Sequence, residues 1–380
     1  MTPGTEAELA EVIADCKAPL SVRGGGTRCI APAGEPLSTA ALSGVELYEP
    51  GALTLVAKAG TPLAEIEATL ASENQRLAFE PMDHRALLST DGTPTLGGVV
   101  AANVSGPRRL QGGAARDYIL GVRFVDGRGE TIRNGGRVMK NVTGYDLVKL
   151  MAGSFGTLGV LTEVSLKVLP APETQATVML RDLSDADAVE AMSRAMGSPF
   201  EVTGAAHCAK IDKQTPVTLL RVEGFESSVR YRAEALKKLL SDTGAEMEIA
   251  GHEMSEVIWE SVKNVTEMTS LPGDVWRVSC KPSEAAKLTE LSGAEGWYFD
   301  WSGARIWIRT VPGTDLRARL GNFDGHATLV RADAETRSEL PVFHPQAPGI
   351  ARLSAALRAR FDPHGILNPG LMGPALDKVS

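Results

Sequence analysis

Three glycine-rich segments in the first 160 residues carry the residue types that bind phosphate groups and flat ring systems. Residues 23–28 read Arg-Gly-Gly-Gly-Thr-Arg, residues 95–106 combine glycine and alanine with one amide side chain, and residues 153–159 contain three further glycines. Glycine lacks Cβ, so backbone N–H groups can approach an anion or an aromatic ring closely, and flanking arginines add charge-assisted hydrogen bonds. Three such segments together predict a binding site, whereas one alone is typical of an ordinary turn.

The residues around the first segment exclude two common nucleotide sites. A Rossmann site needs Gly-x-Gly-x-x-Gly between a strand and a helix, with an acidic residue about 20 positions later. Here Pro32 and Pro36 follow the glycines, so no helix opens after them, and no acidic residue ends a strand at the required distance. The Walker signature is also missing, which excludes P-loop nucleotide hydrolases.

Strand and helix patterns position these segments. A short strand at 19–22 leads into the first, a strand at 51–60 and an amphipathic helix at 62–72 follow, and the third lies between a helix-period segment and a buried strand at 160–168. Two prolines near residue 171 mark a domain boundary. The first domain is therefore predicted to span residues 1–172.

Residues 173–345 show a different alternation, typical of an α+β domain. Strands are predicted at 176–180, 217–222, 275–280, 296–300 and 306–310, with helices at 186–196 and 226–243. A helix is then predicted at 349–360. It lies in a C-terminal segment, residues 346–380, that is separate from the second domain.

The glycine segments resemble those of the vanillyl-alcohol oxidase flavoproteins, also called the PCMH-type FAD-binding family. Residues 23–27 match its Arg-Gly-Gly-Gly-Thr loop, and residues 95–103 match its Thr-Ile-Gly-Gly-x-x-Ala-x-Asn segment. Residues 140–147 with 153–160, and the C-terminal 361–370, match two further motifs in the family's order. Within the family, residues 325–331 and 341–343 are most similar to the smaller FAD-binding subunit of bacterial glycolate oxidases.

The resemblance implies an α+β protein, with a PCMH-type FAD-binding domain of two α/β subdomains, a smaller α+β cap domain, and a C-terminal segment that returns to the FAD domain. It also implies FAD as cofactor. The residues that it places at FAD lie in five segments: Arg23, Gly24, Gly25, Gly26, Thr27 and Arg28; Pro81; Thr95, Gly97, Gly98, Ala102 and Asn103; Gly153, Ser154, Gly156, Thr157, Gly159 and Val160; and Asn368. Relatives with covalent FAD use a histidine or cysteine beside the first loop. Thr27 holds the histidine position and Cys29 is displaced, so non-covalent FAD is expected.

Catalytic residues are harder to assign. Related 2-hydroxy-acid dehydrogenases carry Gly-His-x-Gly-Asp-Gly-Asn-x-His in the cap, and its two histidines bind a divalent metal. This chain keeps Gly325-His326 but lacks the second histidine, so no metal site is expected. His326 is a candidate base, with Arg309 or Arg331 as anchor for a substrate carboxylate; the alternative is a hydrogen-bonded histidine in a strand.

Composition narrows the class further. The 380 residues carry a formal charge of −8 without clustered cations, which argues against nucleic acid binding. No signal peptide or 18-residue apolar run is recognised, so we expect a cytoplasmic protein, peripheral at the inner membrane only through partners. Its four cysteines are isolated, unlike iron–sulfur or zinc ligands, so an FAD here lacks a second redox centre in the same chain.

Three hypotheses follow from the sequence. The first is an FAD-binding subunit of a multi-subunit glycolate oxidase, which converts glycolate to glyoxylate with a larger homologous FAD subunit and an iron–sulfur subunit as partners. The second is an autonomous FAD-dependent 2-hydroxy-acid dehydrogenase of the D-lactate type. The third is an assembly subunit that has lost FAD, which the intact glycine segments disfavour.

Overall fold

The fold is seen in a computed structural model that describes residues 1–28, 30, 32–137, 144–210 and 215–373. Unit 1 contains Met1–Ser105, Gly113–Ala171 and the residues from Pro345 onward, and unit 2 contains Gly106–Gly112 and Pro172–His344. The C-terminal segment is thus part of unit 1. The assignment of residues 106–112 to unit 2 was not indicated by the sequence.

The helices have the following bounds: α1 Glu6–Asp15, α2 Leu63–Ala71, α3 Arg85–Leu88, α4 Leu96–Ala101, α5 Arg109–Gly112, α6 Leu147–Met151, α7 Asp185–Met196, α8 Glu226–Leu239, α9 His252–Asn264, α10 Ala285–Ser292, α11 Leu316–Leu320, α12 Ala334–Glu339 and α13 Pro348–Phe361. The strands have these bounds: β1 Leu20–Arg23, β2 Glu35–Ser38, β3 Val45–Glu49, β4 Thr54–Lys58, β5 Gln75–Arg76, β6 Ile119–Val125, β7 Thr131–Gly135, β8 Val160–Lys167, β9 Leu169–Pro170, β10 Thr174–Arg181, β11 Gly204–Lys210, β12 Val217–Gly224, β13 Met247–Ala250, β14 Asp274–Ser279, β15 Gly296–Asp300, β16 Arg305–Thr310 and β17 His326–Arg331.

Unit 1 is built around a five-stranded antiparallel sheet in the order β3-β4-β8-β6-β7, beside two small two-stranded sheets. The small β1-β2 sheet is parallel and is extended by a backbone hydrogen bond from Leu20 N–H to the Ile366 carbonyl, 2.7 Å. Ile366 and Leu367 are buried against Leu9 and Ile13 of α1. Burial of these apolar side chains holds the residues after α13 in unit 1.

Unit 2 contains one eight-stranded antiparallel sheet in the order β13-β10-β12-β11-β15-β16-β14-β17, together with helices α5 and α7 to α12. Side chains alternate between the two faces of a strand. In β14, Trp276 and Val278 point into the core together with Ile306 and Ile308 of the neighbouring β16. The other face of these two strands carries Arg277, Ser279, Arg305 and Arg309, together with buried Val275 and Trp307.

The structure confirms the α+β class, and most predicted elements are present with altered ends. The predicted strand at 51–60 begins only at Thr54, because Pro50–Ala52 form a 3-10 turn and Leu53 is left-handed at φ 52°. The predicted helix at 226–243 ends at Leu239, before a 3-10 turn that leads to left-handed Gly244. Residues 138–143, part of one family motif, and Cys29 lie outside the described residues.

Candidate FAD-binding site

The first glycine segment leaves β1 and packs tightly against the chain near residue 93. The Thr93 N–H donates to the Gly25 carbonyl at 3.1 Å, and a Cβ on Gly25 would lie 1.5 Å from the Thr93 carbonyl oxygen. Gly26 has φ +73°, a conformation that glycine adopts without strain, and a Cβ placed on it would point into open space. Gly25 is therefore required for packing, whereas Gly26 exposes backbone to the cleft described below.

The second segment forms the short helix α4, which Thr95 caps by accepting a hydrogen bond from Gly98 N–H at 3.3 Å. A Cβ on Gly98 would meet only the Thr95 hydroxyl, at 3.2 Å, so this glycine borders open space. The Arg28 guanidinium donates to the Gly98 carbonyl at 2.6 Å. This bond fixes the first segment against the second.

The third segment is held against the end of α4. Gly153 N–H donates to the Val100 carbonyl at 3.2 Å, and Phe155 N–H donates to the Ala101 carbonyl at 2.8 Å. Gly156 is left-handed, with φ +70°. These bonds bring the third segment beside the other two, although about 50 residues of chain separate it from α4.

Asn368 connects the third segment to β1. Its side-chain oxygen accepts from Val22 N–H at 2.7 Å, and its side-chain nitrogen donates to the Phe155 carbonyl at 2.8 Å. The residue is 2% exposed and has φ 45°. Behind it, buried Arg358 of α13 donates to the carbonyls of Leu367, Asn368 and Leu371. Asn368 thus joins two walls of a cleft through its side chain.

The three segments and Asn368 line one cleft in unit 1. The sequence-predicted residues that line it are Arg23, Gly24, Gly25, Gly26, Thr27, Arg28, Thr95, Gly97, Gly98, Ala102, Gly156, Gly159, Val160 and Asn368. Residues that the sequence did not indicate complete the wall: Val22, Ile30, Pro32, Thr39, Met82, His84, Pro94, Val99, Ala101, Phe155, Leu161 and Leu371. Most of these are apolar and lie next to a predicted residue in the chain, which is the signal that could have identified them.

Five other predicted residues do not line the cleft: Pro81, Asn103, Gly153, Ser154 and Thr157. Asn103 accepts a hydrogen bond from Arg116 N–H at 3.0 Å, and the Thr157 hydroxyl donates to the Ser154 carbonyl at 2.7 Å. Their described contacts support the loops that form the wall.

The cleft fits a dinucleotide with a flat ring. Its walls are largely backbone and small side chains, so they allow close approach of an aromatic system, and Arg23 and Arg28 place two cations beside a run of glycine N–H groups. Apolar Val22, Val99 and Leu161 supply surface for a ring. These residues would hold the pyrophosphate and the rings of FAD.

The predicted catalytic candidates His326, Arg309 and Arg331 lie on neighbouring strands of the unit 2 sheet. The histidine is near one end of these strands and the two arginines are near the other. Val275 of β14 is opposite Arg309 on one side and Arg331 on the other, whereas Ser279 is opposite His326. Four residues along a strand correspond to about 13 Å, so His326 is distant from both arginines.

Both of these arginines are engaged. Arg309 forms an ion pair with Glu295 and donates to the Pro272 carbonyl at 3.1 Å. Arg331 donates to the carbonyls of Gly273, Met268 and Leu271. Because both guanidinium groups already have hydrogen-bond or ion-pair partners, these contacts favour a structural role for each arginine. Burial, followed by the charge of Arg277, lowers the pKa of His326, which favours the neutral imidazole at pH 7.

Within the described part of the chain, no group of three or more His, Cys, Asp and Glu side chains could hold a metal ion. Cys16, Cys208 and Cys280 are free thiols. No helix among the described residues has the length and apolar character needed to cross a bilayer.

Comparisons with known proteins agree with the geometry. A sequence profile of the FAD binding domain family matches residues 1–135. Glycolate oxidase subunit GlcE of Escherichia coli (strain K12) is 33% identical over 370 residues, covering 96% of this chain and 95% of that protein. Glycolate oxidase subunit GlcD of Bacillus subtilis (strain 168) is 31% identical over 187 residues, 47% of this chain and 38% of that protein. The structure of p-cresol methylhydroxylase with substrate bound superposes with a TM-score of 0.71 at 14% identity, covering 99% of this chain and 88% of that chain.

The fold and the glycine-lined cleft define an FAD-dependent flavoprotein of the PCMH type. FAD is its cofactor, and the chain is an FAD-linked oxidoreductase. The chain belongs to the family that contains glycolate oxidase subunit GlcE.

Proposed function

We propose that this chain is the FAD-binding subunit of a multi-subunit glycolate oxidase, which oxidises glycolate to glyoxylate and passes electrons to an iron–sulfur subunit. The similarity to GlcE, which extends over 96% of the chain, is the observation that carries the proposal. A larger homologous FAD subunit, similar to GlcD, is the second proposed partner.

The chemistry divides between cofactor and protein. Oxidation of glycolate removes a hydride from the carbon and a proton from the hydroxyl group, and bound FAD supplies the two-electron acceptor. The protein must hold the cofactor and fix the acid through its carboxylate. In unit 1, the segments at residues 23–28, 95–102 and 153–160 serve the first task.

A partner is proposed because the electrons that FAD receives from the substrate must leave this chain. The described cysteines Cys16, Cys208 and Cys280 are isolated, and none belongs to a described group that could ligate a metal. The two electrons from each substrate must then leave through another molecule. An iron–sulfur subunit is the proposed acceptor, and it would also supply any peripheral association with the inner membrane.

An autonomous FAD-dependent 2-hydroxy-acid dehydrogenase is the second candidate. The sheet of unit 2 carries several arginines on one face. This favours the autonomous enzyme, because such a domain can bind an acid without a partner subunit. An assembly subunit without FAD is disfavoured by the cleft, whose wall remains lined by glycine and small residues.

Co-expression separates these candidates. The chain should be purified alone and with a larger FAD subunit and a cysteine-rich subunit from the same source, and glycolate-dependent dye reduction measured in both preparations. We expect a stable complex with full turnover and weak turnover by the chain alone. Full turnover by the chain alone would support the autonomous enzyme, and a chain that cannot be reconstituted with FAD would support the assembly subunit.

A matched pair of variants tests whether FAD in this chain is used. Gly98→Leu places an isobutyl group in the open space of the cleft without changing a helical backbone conformation, whereas Gly349→Leu makes the same change at an exposed helical position with no atom within 4 Å of the new Cβ. We expect Gly98→Leu to lower flavin content and turnover of the complex, and Gly349→Leu to retain both. Unchanged turnover in a flavin-depleted Gly98→Leu complex would refute a role for this cofactor in electron transfer.

A further inference from the structure

The face of the unit 2 sheet opposite its core gathers basic side chains at one end of three adjacent strands. Arg277 of β14 lies opposite Trp307 and Thr328, and Ser279, two residues on, lies opposite Arg305 and His326. Residues directly opposite in antiparallel strands share a face, as do residues two apart in one strand. Arg277, Arg305 and His326 are therefore neighbours on this face.

A strained turn after β15 adds an aromatic ring and a third arginine. Trp301 and Ser302 are both left-handed, with φ 53° and 55°, a conformation that costs about 1–2 kcal/mol for each non-glycine residue. The Trp301 indole N–H donates to the Gly106 carbonyl at 2.9 Å. The ring centroid lies 3.2 Å from Cζ of Arg305 and 4.7 Å from Cζ of Arg109. Backbone strain of this kind is concentrated at functional sites.

Positive charge exceeds negative charge in this cluster. Buried Asp300 lies 3.7 Å from the Arg305 guanidinium, so a carboxylate already faces that arginine. Among the described residues, the side chain of half-buried Arg277 makes no hydrogen bond and no ion pair. Burial, followed by the nearby Arg109, lowers the pKa of Arg277 to about 10. The desolvated charge of the Arg277 guanidinium would favour an anion, and the described residues supply it with none.

We propose that Arg277 binds the carboxylate of a small 2-hydroxy acid on this face of the sheet, with Arg109 and Arg305 supplying additional positive potential. The planar guanidinium fork matches a carboxylate bidentately, which a lysine at the same position would not do. The identity of the acid rests on the proposed function. The inference gives this chain its own acid-binding site and replaces Arg309 and Arg331, which already have partners, as the carboxylate anchor.

Binding should be measured by calorimetry on the FAD-loaded chain with oxalate, which resembles the substrate anion and carries no hydrogen to transfer. Arg277→Gln should weaken oxalate binding by about 10- to 100-fold, the range for loss of a charged hydrogen-bond pair. Arg277→Lys should lose less, because charge is kept and only the fork is lost. Uncharged glycolamide should bind far more weakly than glycolate.

Two matched variants serve as controls. Arg181 lies on β10, near the other edge of the same sheet, where it is partly exposed and paired with Glu248, and Arg181→Gln should leave oxalate binding unchanged. Arg309→Gln tests the rival anchor directly. Flavin absorbance and the thermal midpoint should be recorded for every variant, and a reduced effect of Arg277→Lys shows that the loss in Arg277→Gln is not misfolding.

The outcomes are separable from the proposed function. Retained flavin with equal oxalate affinity in wild type and Arg277→Gln would overturn the assignment while leaving FAD binding intact. A larger loss in Arg309→Gln than in Arg277→Gln would overturn it in favour of Arg309. Sulfate bound more tightly than oxalate would replace the carboxylate ligand with a tetrahedral oxyanion. Failure to bind FAD would instead refute the proposed function.

Discussion

Replacement of Asn368 by alanine tests how the cleft is held together. The substitution leaves Val22 N–H and the Phe155 carbonyl without their side-chain partners, which now lie at 2.7 and 2.8 Å. Both groups belong to half-buried residues in the cleft wall, so each lost hydrogen bond costs about 0.5–1.5 kcal/mol, the range for a typical hydrogen bond. Alanine at φ 45° adds about 1 kcal/mol, because its Cβ disfavours the left-handed region more than asparagine does. The expected loss of unfolding free energy is therefore about 2–4 kcal/mol.

Two further variants separate these contributions. Asn368→Gly removes the same two hydrogen bonds but tolerates the positive φ, so it should be about 1 kcal/mol more stable than Asn368→Ala. Asn264→Ala removes an asparagine whose side chain donates to Glu260 on the surface of α9 at 2.6 Å, and should cost under about 1 kcal/mol.

Urea unfolding followed by circular dichroism gives the free energies, and quenching of flavin fluorescence gives the Kd for FAD. We expect FAD affinity to fall with Asn368→Ala, since Val22 and Phe155 both line the cleft. A loss below 1 kcal/mol for Asn368→Ala, or equal stabilities of the alanine and glycine variants, would refute the reasoning.

Three other expectations concern the flavin, buried Arg108 and half-buried Cys280. The FAD should be released into the supernatant by acid precipitation, because Thr27 holds the position where relatives have a linking histidine; a flavin that remains attached to peptide would contradict this. Arg108→Met should destabilise the protein by about 3–5 kcal/mol in urea unfolding, because it leaves the buried Glu223 carboxylate without its closest ion-pair partner, and a change near zero would count against that. Cys280 should resist iodoacetamide in the folded protein at pH 8, because burial raises the pKa of its thiol to about 12 and the thiolate fraction is about 1 in 10,000; rapid alkylation, detected by peptide mass spectrometry, would show otherwise.

The three glycine segments, which line one cleft, are visible in the sequence because the absence of a side chain is known from the residue type alone. It predicts β15 with the observed ends, since Gly296–Asp300 is rich in aromatic residues that favour strands. It did not predict β11, whose residues Gly204–Lys210 are mostly small and lack apolar alternation.

The sequence does not predict the cluster of arginine and histidine side chains on the sheet of unit 2. Arg277 occupies the polar position of an alternating strand, as many solvated arginines do, and only the pairing with β16 and β17 brings it beside Arg305 and His326. The same limit applies to Asn368. Its motif indicated a residue at the flavin, whereas its role as a bridge between Val22 and Phe155 depends on contacts across more than 200 residues.

The short segment Gly106–Gly112 has a consequence for dissecting this protein. Because it belongs to unit 2 while the residues on both sides of it belong to unit 1, the chain changes unit four times, at 105/106, 112/113, 171/172 and 344/345. A fragment cut at residues 172 and 344 would lack Arg108, the partner of Glu223, and the Gly106 carbonyl that Trp301 binds. Unit 2 is therefore not one continuous stretch of sequence. Its excision, or its transfer to another flavoprotein, would have to include the seven residues Gly106–Gly112.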